Sequence, residues 1–145
     1  MSEEKKTRDY RDLLVWQKGI ELAKYVYQLT RSFPADERFG LVSQMRRAVS
    51  SVPANVAEGQ ARRTTGEFIQ FISHVEGSLA ELDTHLVLAI ELRYCNRGDV
   101  EAVTSLIQEL RRMLNGLRRN LAARHSSLIT HHSRKEPEAS RKNQP

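Results

Sequence analysis

Between Phe68 and Ile90 the apolar residues Phe68, Phe71, Ile72, Val75, Leu79, Leu82, Leu86 and Ile90 recur at steps of three and four without a break. That period belongs to one face of an α-helix. A helix with a single apolar stripe is marginal alone and must bury the stripe against other elements. No stretch of the chain alternates apolar and polar residues as a half-buried strand would, so the partners have to be helices.

Three further segments supply them. The first spans about Asp12 to Arg31 and stops before Phe33-Pro34. The second spans about Glu37 to Ala61. The third, which holds the stripe above, opens at Thr64-Thr65-Gly66-Glu67, where Thr64 and Glu67 match a capping box. Its stop is placed near Cys95-Asn96-Arg97-Gly98, with Gly98 free to take a positive φ. Asp99 is a candidate N-cap for the fourth helix, whose seam is Val103, Ile107, Leu110, Leu114, Leu117 and Leu121. Short linkers between helices imply antiparallel neighbours. The expected fold is therefore all-α: an antiparallel up-down four-helix bundle over residues 12–125. A charged arm, residues 1–11, precedes it. A basic tail, residues 126–145, follows, without apolar periodicity and expected to be disordered.

The first helix is apolar over about half its circumference. Leu13, Trp16, Ile20, Ala23 and Tyr27 form one stripe; Val15, Leu22, Val26 and Leu29 form another. One core needs a stripe of only about 100°, so the second faces either a further helix of the bundle or another subunit. The second helix contains the stretch RRAVSSVPANVAEGQARR, residues 46–63. Its apolar stripe is Leu41, Met45, Ala48, Val49, Val52 and Val56. Pro53 removes the bond to the carbonyl of Val49 and predicts a kink. Gln44, Ser51, Asn55 and Glu58 line one margin with Arg47 beside them. Gly59 sits at the centre of the stripe, where it permits a close approach. Either this polar margin shapes the core of one chain, or it fixes the register of a contact between chains, as a buried asparagine can. The sequence favours the second reading.

Little in the chain suggests chemistry. A di-metal bundle site needs Glu-x-x-His on two helices, and the nearest pair, Glu81 and His85, has the wrong spacing. Glu76 and Asp83 border the apolar stripe of the third helix and read as solvated carboxylates rather than an acid–base pair. His74 and His85 fall on its polar face. His125, His131 and His132 lie at or beyond the end of the last helix. Cys95, the only cysteine, excludes an intramolecular disulfide, points to a reducing compartment, and has no activating base beside it in sequence. Gly59 and Gly66 are isolated, so no phosphate-binding loop is present. The charged N-terminus has no apolar core of a signal peptide, and no apolar run is long enough for a membrane span. The expectation is a cytoplasmic protein with no catalytic residues, metal or cofactor.

The net charge is +5 and the pI about 9.7, spread along the chain: residues 9–125 carry 16 basic against 14 acidic side chains. One concentration stands out. Arg111 and Arg118 are seven apart, as are Arg112 and Arg119, with Asn115 between them. On a helical wheel the five lie opposite the seam, with no acidic residue of that helix among them. Such a row suits successive phosphates, although arginines near a helix C-terminus also oppose the macrodipole. Without aromatic residues on this face, stacking on single-stranded bases is not suggested.

LLVWQKGIELAKYVY, FPADERFGLVSQMRRAVSSVPANVAEGQARR and EFIQFISHVEGSLAELDTHLVLA together resemble the 23S rRNA-intervening-sequence protein family, also called S23 or four helix bundle proteins. The resemblance covers about residues 12–121. It implies an up-down four-helix bundle that assembles as a homopentamer. Genes of some members lie in intervening sequences of bacterial 23S rRNA genes. The family is similar in fold to the basic, pentameric accessory proteins of diversity-generating retroelements, which bind a reverse transcriptase and RNA. The matched positions are Trp16, Gln17, Gln44, Arg46, Arg47, Pro53, Asn55, Glu58, Gly59 and Arg62, and no catalytic role comes with them. Two functions follow as expectations: an oligomeric, non-enzymatic module contacting RNA through basic surfaces, or a scaffold that binds only protein.

Overall fold

The structure, a computed structural model, describes residues 9–133, with side chains through Ser126. A 3-10 turn, Tyr10–Asp12, leads into α1, Leu14–Thr30. A second 3-10 turn, Ala35–Glu37, precedes α2, Leu41–Gln60. Then come α3, Thr65–Glu91, and α4, Glu101–Ser133. Among the described residues there is no strand. Each helix packs on its sequence neighbours, α4 closes the ring against α1, and the backbones of the diagonal pairs stay more than 8 Å apart between Cα atoms among the described residues. This is the four-helix bundle the periodicity predicts. No helix among the described residues is long and apolar enough to cross a membrane.

The core is built from the stripes on all four helices. Leu22, Met45, Val49, Ile72, Leu79, Leu82, Leu110 and Leu114 are fully buried or nearly so. On α1 it is the Val15, Leu22 and Val26 stripe that turns inward. Lys18 bridges Glu21 on its own helix and Glu109 on α4, at 3.5 and 3.6 Å, along the α1–α4 edge.

The ends of the helices carry the local departures from expectation. The Thr64 hydroxyl accepts the Glu67 N–H at 3.2 Å, as the capping box requires. α3, however, stops at Glu91, short of Gly98. Arg93 takes the left-handed conformation, φ +61°. The Arg93 N–H bonds to the Ile90 carbonyl, and the Tyr94 N–H to the Ala89 carbonyl, each at 2.9 Å. These are the two bonds of a Schellman stop, and no glycine has a positive φ. The side chain following the stop explains the choice. Tyr94 folds back beside Phe33, ring centroids 5.6 Å apart, which fixes where the chain must turn. A non-glycine residue in this region costs about 1–2 kcal/mol. Arg93→Gly is therefore expected to stabilise the fold by about 1 kcal/mol, read as a higher urea midpoint at unchanged slope.

Asp99 does not cap α4. It exchanges hydrogen bonds with Asn96, side chain to backbone in both directions at 2.9 Å, and closes the α3–α4 turn instead. α2 begins at Leu41, later than expected, because Glu37 serves as its cap from outside. One oxygen accepts the Leu41 N–H at 2.8 Å and the other the Tyr94 hydroxyl at 3.1 Å. Burial, and then the Glu37 carboxylate, push the Tyr94 phenol up from its ordinary pKa.

α2 runs through Pro53 to Gln60 as one helix. α4 continues to Ser133, so residues 126–133, read from sequence as tail, are helical. No glycine or proline interrupts the chain there before Pro137, so nothing local ends the helix. The rest of the expected tail, 134–145, and residues 1–8 of the arm lie outside the described residues.

Candidate nucleic-acid interface and assembly surfaces

The arginine row of α4 divides in two. Arg111, Arg118 and His125, at steps of seven, run along α3. Arg118 meets Glu76 at 2.6 and 3.3 Å and donates to the Ser73 hydroxyl at 2.9 Å. Arg111 lies 3.8 Å from Asp83. His125 Nδ1 and the Thr65 hydroxyl are 3.3 Å apart. Asp83 and Glu76 are themselves seven apart on α3, so two helices of opposite direction present matched charges. The pairing is a seam of the bundle, and it answers the question of what Glu76 and Asp83 do. The expectation that no acidic residue interrupts the row holds along α4 and fails across to α3. The complementary steps of seven were visible in the sequence; the missing information was which flanks of α3 and α4 adjoin.

Arg112, Asn115 and Arg119 form the other row. All three are exposed, and the two arginines make no ion pair with a described residue. Arg124 is exposed near the end of the described side chains. A Cβ added at Gly116 would meet nothing within 4 Å, so this face is open.

Within the margin of α2, Ser51 and Asn55 are half-buried in their own chain. The Ser51 hydroxyl lies 2.6 Å from that of Ser78 on α3, and Asn55 Nδ2 donates to the Ser51 carbonyl at 2.7 Å. A Cβ on Gly59 would stand 2.8 Å from the Cβ of Phe71 and 3.0 Å from Cδ1 of Phe68, so the neighbour it admits is α3. Pro53 is met by Gly19 of α1, where a Cβ would stand 3.3 Å from Pro53 Cδ and 3.2 Å from Val52 Cγ1. Gly19 was missed from sequence because a lone glycine inside a helix pattern announces no partner.

Arg46 holds the end of α1. Its Nε donates to the buried Thr30 hydroxyl at 3.0 Å, an Nη donates to the Tyr27 carbonyl at 3.4 Å, and the guanidinium lies 4.5 Å from the Tyr27 ring centroid. A cation at unsatisfied terminal carbonyls is favourable. Arg62 stacks over Phe71 at 4.8 Å. Trp16 is half-buried beside Tyr10, centroids 5.5 Å apart, and Gln17 Nε2 donates to the Arg11 carbonyl at 2.9 Å, tying down the first turn. Gln44, Arg47 and Glu58 remain exposed.

Of the other apolar stripe of α1, Leu13, Trp16 and Ala23 are partly buried against the core, and Ile20 and Tyr27 are left outside. Ile20 is 37% and Tyr27 40% exposed, and together with Ala23 and Ser50 of α2 they line a shallow groove. At the far end of the bundle Phe39, Leu88 and Leu92 are also exposed.

Among the described residues, no group of three or more His, Cys, Asp or Glu side chains could hold a metal ion. Burial, and then Asp99, push the Cys95 thiol up, which disfavours the reactive thiolate. His74 is exposed against Phe71, whereas His85 is half-buried with Nδ1 unpartnered, not fully exposed as its position on the wheel implied.

Residues 11–116 match the family model of the 23S rRNA-intervening sequence protein. The chain belongs to this family. Gly19 and Pro53, where α1 meets α2, and Gly59, where α2 meets α3, all lie inside the match. The match ends at Gly116, within α4, so Arg118, Arg119 and Arg124 lie beyond it. No curated protein matches the chain.

Proposed function

We propose that the chain is a non-enzymatic four-helix module that self-associates, as a pentamer, and contacts RNA through basic surfaces in the reducing cytoplasm of a bacterium. The observation that carries the RNA contact is the exposed row Arg112, Asn115 and Arg119, whose two arginines make no ion pair among the described residues. Membership of the 23S rRNA-intervening sequence protein family supports it. Self-association is supported by the outer stripe of α1, an apolar surface on a helix whose other stripe already fills the core. Ser51 and Gly59 face α3 of the same chain, and Asn55 bonds to the Ser51 carbonyl of its own helix, so the assembly reading rests on α1 instead.

Light scattering is expected to give five times 16.6 kDa. Ile20→Glu is expected to bring the mass to that of one chain while the far-UV helical signal persists. A wild-type monomer would overturn the assembly. RNA binding that fails at low salt would overturn the RNA contact. The second reading, a scaffold that binds only protein, draws on exposed Phe39, Leu88 and Leu92, and an assembly without affinity for RNA would favour it.

A further inference from the structure

Basic residues are spread along the chain, but the net excess of positive charge arises in its last quarter. Residues 112–145 carry eight basic and two acidic side chains, which leaves the first 111 residues at a net −1. Within the described part, that charge sits on the last half of α4. There the helix also outruns its neighbour: the Thr65–His125 contact marks where α3 begins, and α4 goes on to Ser133. At 1.5 Å per residue the extension past His125 is about 12 Å. Arg111 and Arg118 are committed to α3, whereas Arg112, Arg119 and Arg124 are exposed without ion pairs among the described residues.

The chemistry of the face narrows the partner. From Glu101 to Ser133 there is no Phe, Tyr or Trp, so α4 lacks the large aromatic platforms on which single-strand binders stack successive bases, and only its arginines and histidines could stack on a base. Arginines and an asparagine spaced along an open helix face suit phosphate and sugar oxygens, the groups by which double-stranded RNA is held largely irrespective of sequence.

Building on the RNA reading above, we infer that the outer face and extension of α4, with Arg112, Asn115, Arg119 and Arg124, form a docking surface for the phosphate backbone of double-stranded RNA. Arg111 and Arg118 hold the bundle and take no part. Contact is sequence-independent and salt-dependent, because each cation releases counterions when it meets a phosphate.

The full-length chain is titrated with a 20-base-pair RNA duplex and with a single strand of the same length, between about 50 and 200 mM salt. The duplex is expected to bind more tightly. The triple variant Arg112→Gln, Arg119→Gln, Arg124→Gln is expected to lose at least tenfold in duplex affinity. Its logarithmic salt slope should be shallower by about 3, roughly one per phosphate contact removed. Its melting temperature should stay near that of wild type, because these side chains make no ion pair among the described residues. Arg118→Gln is expected to do the reverse, lowering the melting temperature and leaving the salt slope unchanged. A wild-type chain that binds no RNA at 50 mM salt would remove the RNA reading and this inference with it. A wild type that binds while the triple variant binds equally well would overturn this location alone. A shallower slope in Arg118→Gln, or tighter binding of the single strand, would overturn it as well.

Discussion

Gly59→Val is expected to destabilise the chain by about 3 kcal/mol, the upper part of the range for overpacking a close-packed site. The contact at risk is with Phe71 Cβ, 2.8 Å from where the new Cβ would stand, and with Phe68 Cδ1 at 3.0 Å. A Cβ is anchored to its backbone, so α3 itself would have to shift. Valine adds two methyl groups to the same crowded place and is stiff about χ1 in a helix. Alanine is the informative companion. It gains about 1 kcal/mol of helix propensity over glycine and loses more to the clash, so Gly59→Ala should be mildly destabilising. Urea unfolding at fixed protein concentration measures both, the concentration being held because association adds to apparent stability. A neutral or stabilised Gly59→Val would mean that α2 and α3 do not approach here as described.

The second large effect is at the centre. Leu82 is completely buried on α3, and Leu82→Ala is expected to cost about 3 kcal/mol, the transfer term plus the cavity left behind. Leu88, six residues on and 44% exposed, is the control. Leu88→Ala should stay within about 0.5 kcal/mol. The same unfolding experiment separates them. Equal losses would mean that the far end of α3 is covered in the native assembly.

The fold was legible because its information is periodic. The steps of three and four on α3 and α4, the Thr64–Glu67 cap and the two stripes of α1 all depend on residues near each other in sequence, where helix geometry does the work. What stayed hidden depends on register between helices. Gly59 was read correctly as a place of close approach, but its neighbour, α3 and not another chain, is set by packing. Gly19 against Pro53 has no sequence signal beyond the glycine itself. Arg93 adopts a conformation normally given to glycine because Tyr94 is drawn to Phe33, a tertiary preference that overrides the local one. The arginine row looked uniform because a helical wheel shows one helix at a time and omits the carboxylates that α3 places alongside. α4 was judged to end where its apolar pattern ended, whereas no glycine or proline stops it there and the helix runs on to Ser133.

The division of α4 into a paired row and an open row has an evolutionary consequence. Substitutions at Arg111 or Arg118 are filtered by folding, since each answers a carboxylate on α3. Substitutions at Arg112, Arg119 or Arg124 meet no such filter, and two of these three positions lie beyond the family match. The charge of this open face can therefore rise, fall or vanish among descendants of this chain while the bundle is inherited intact.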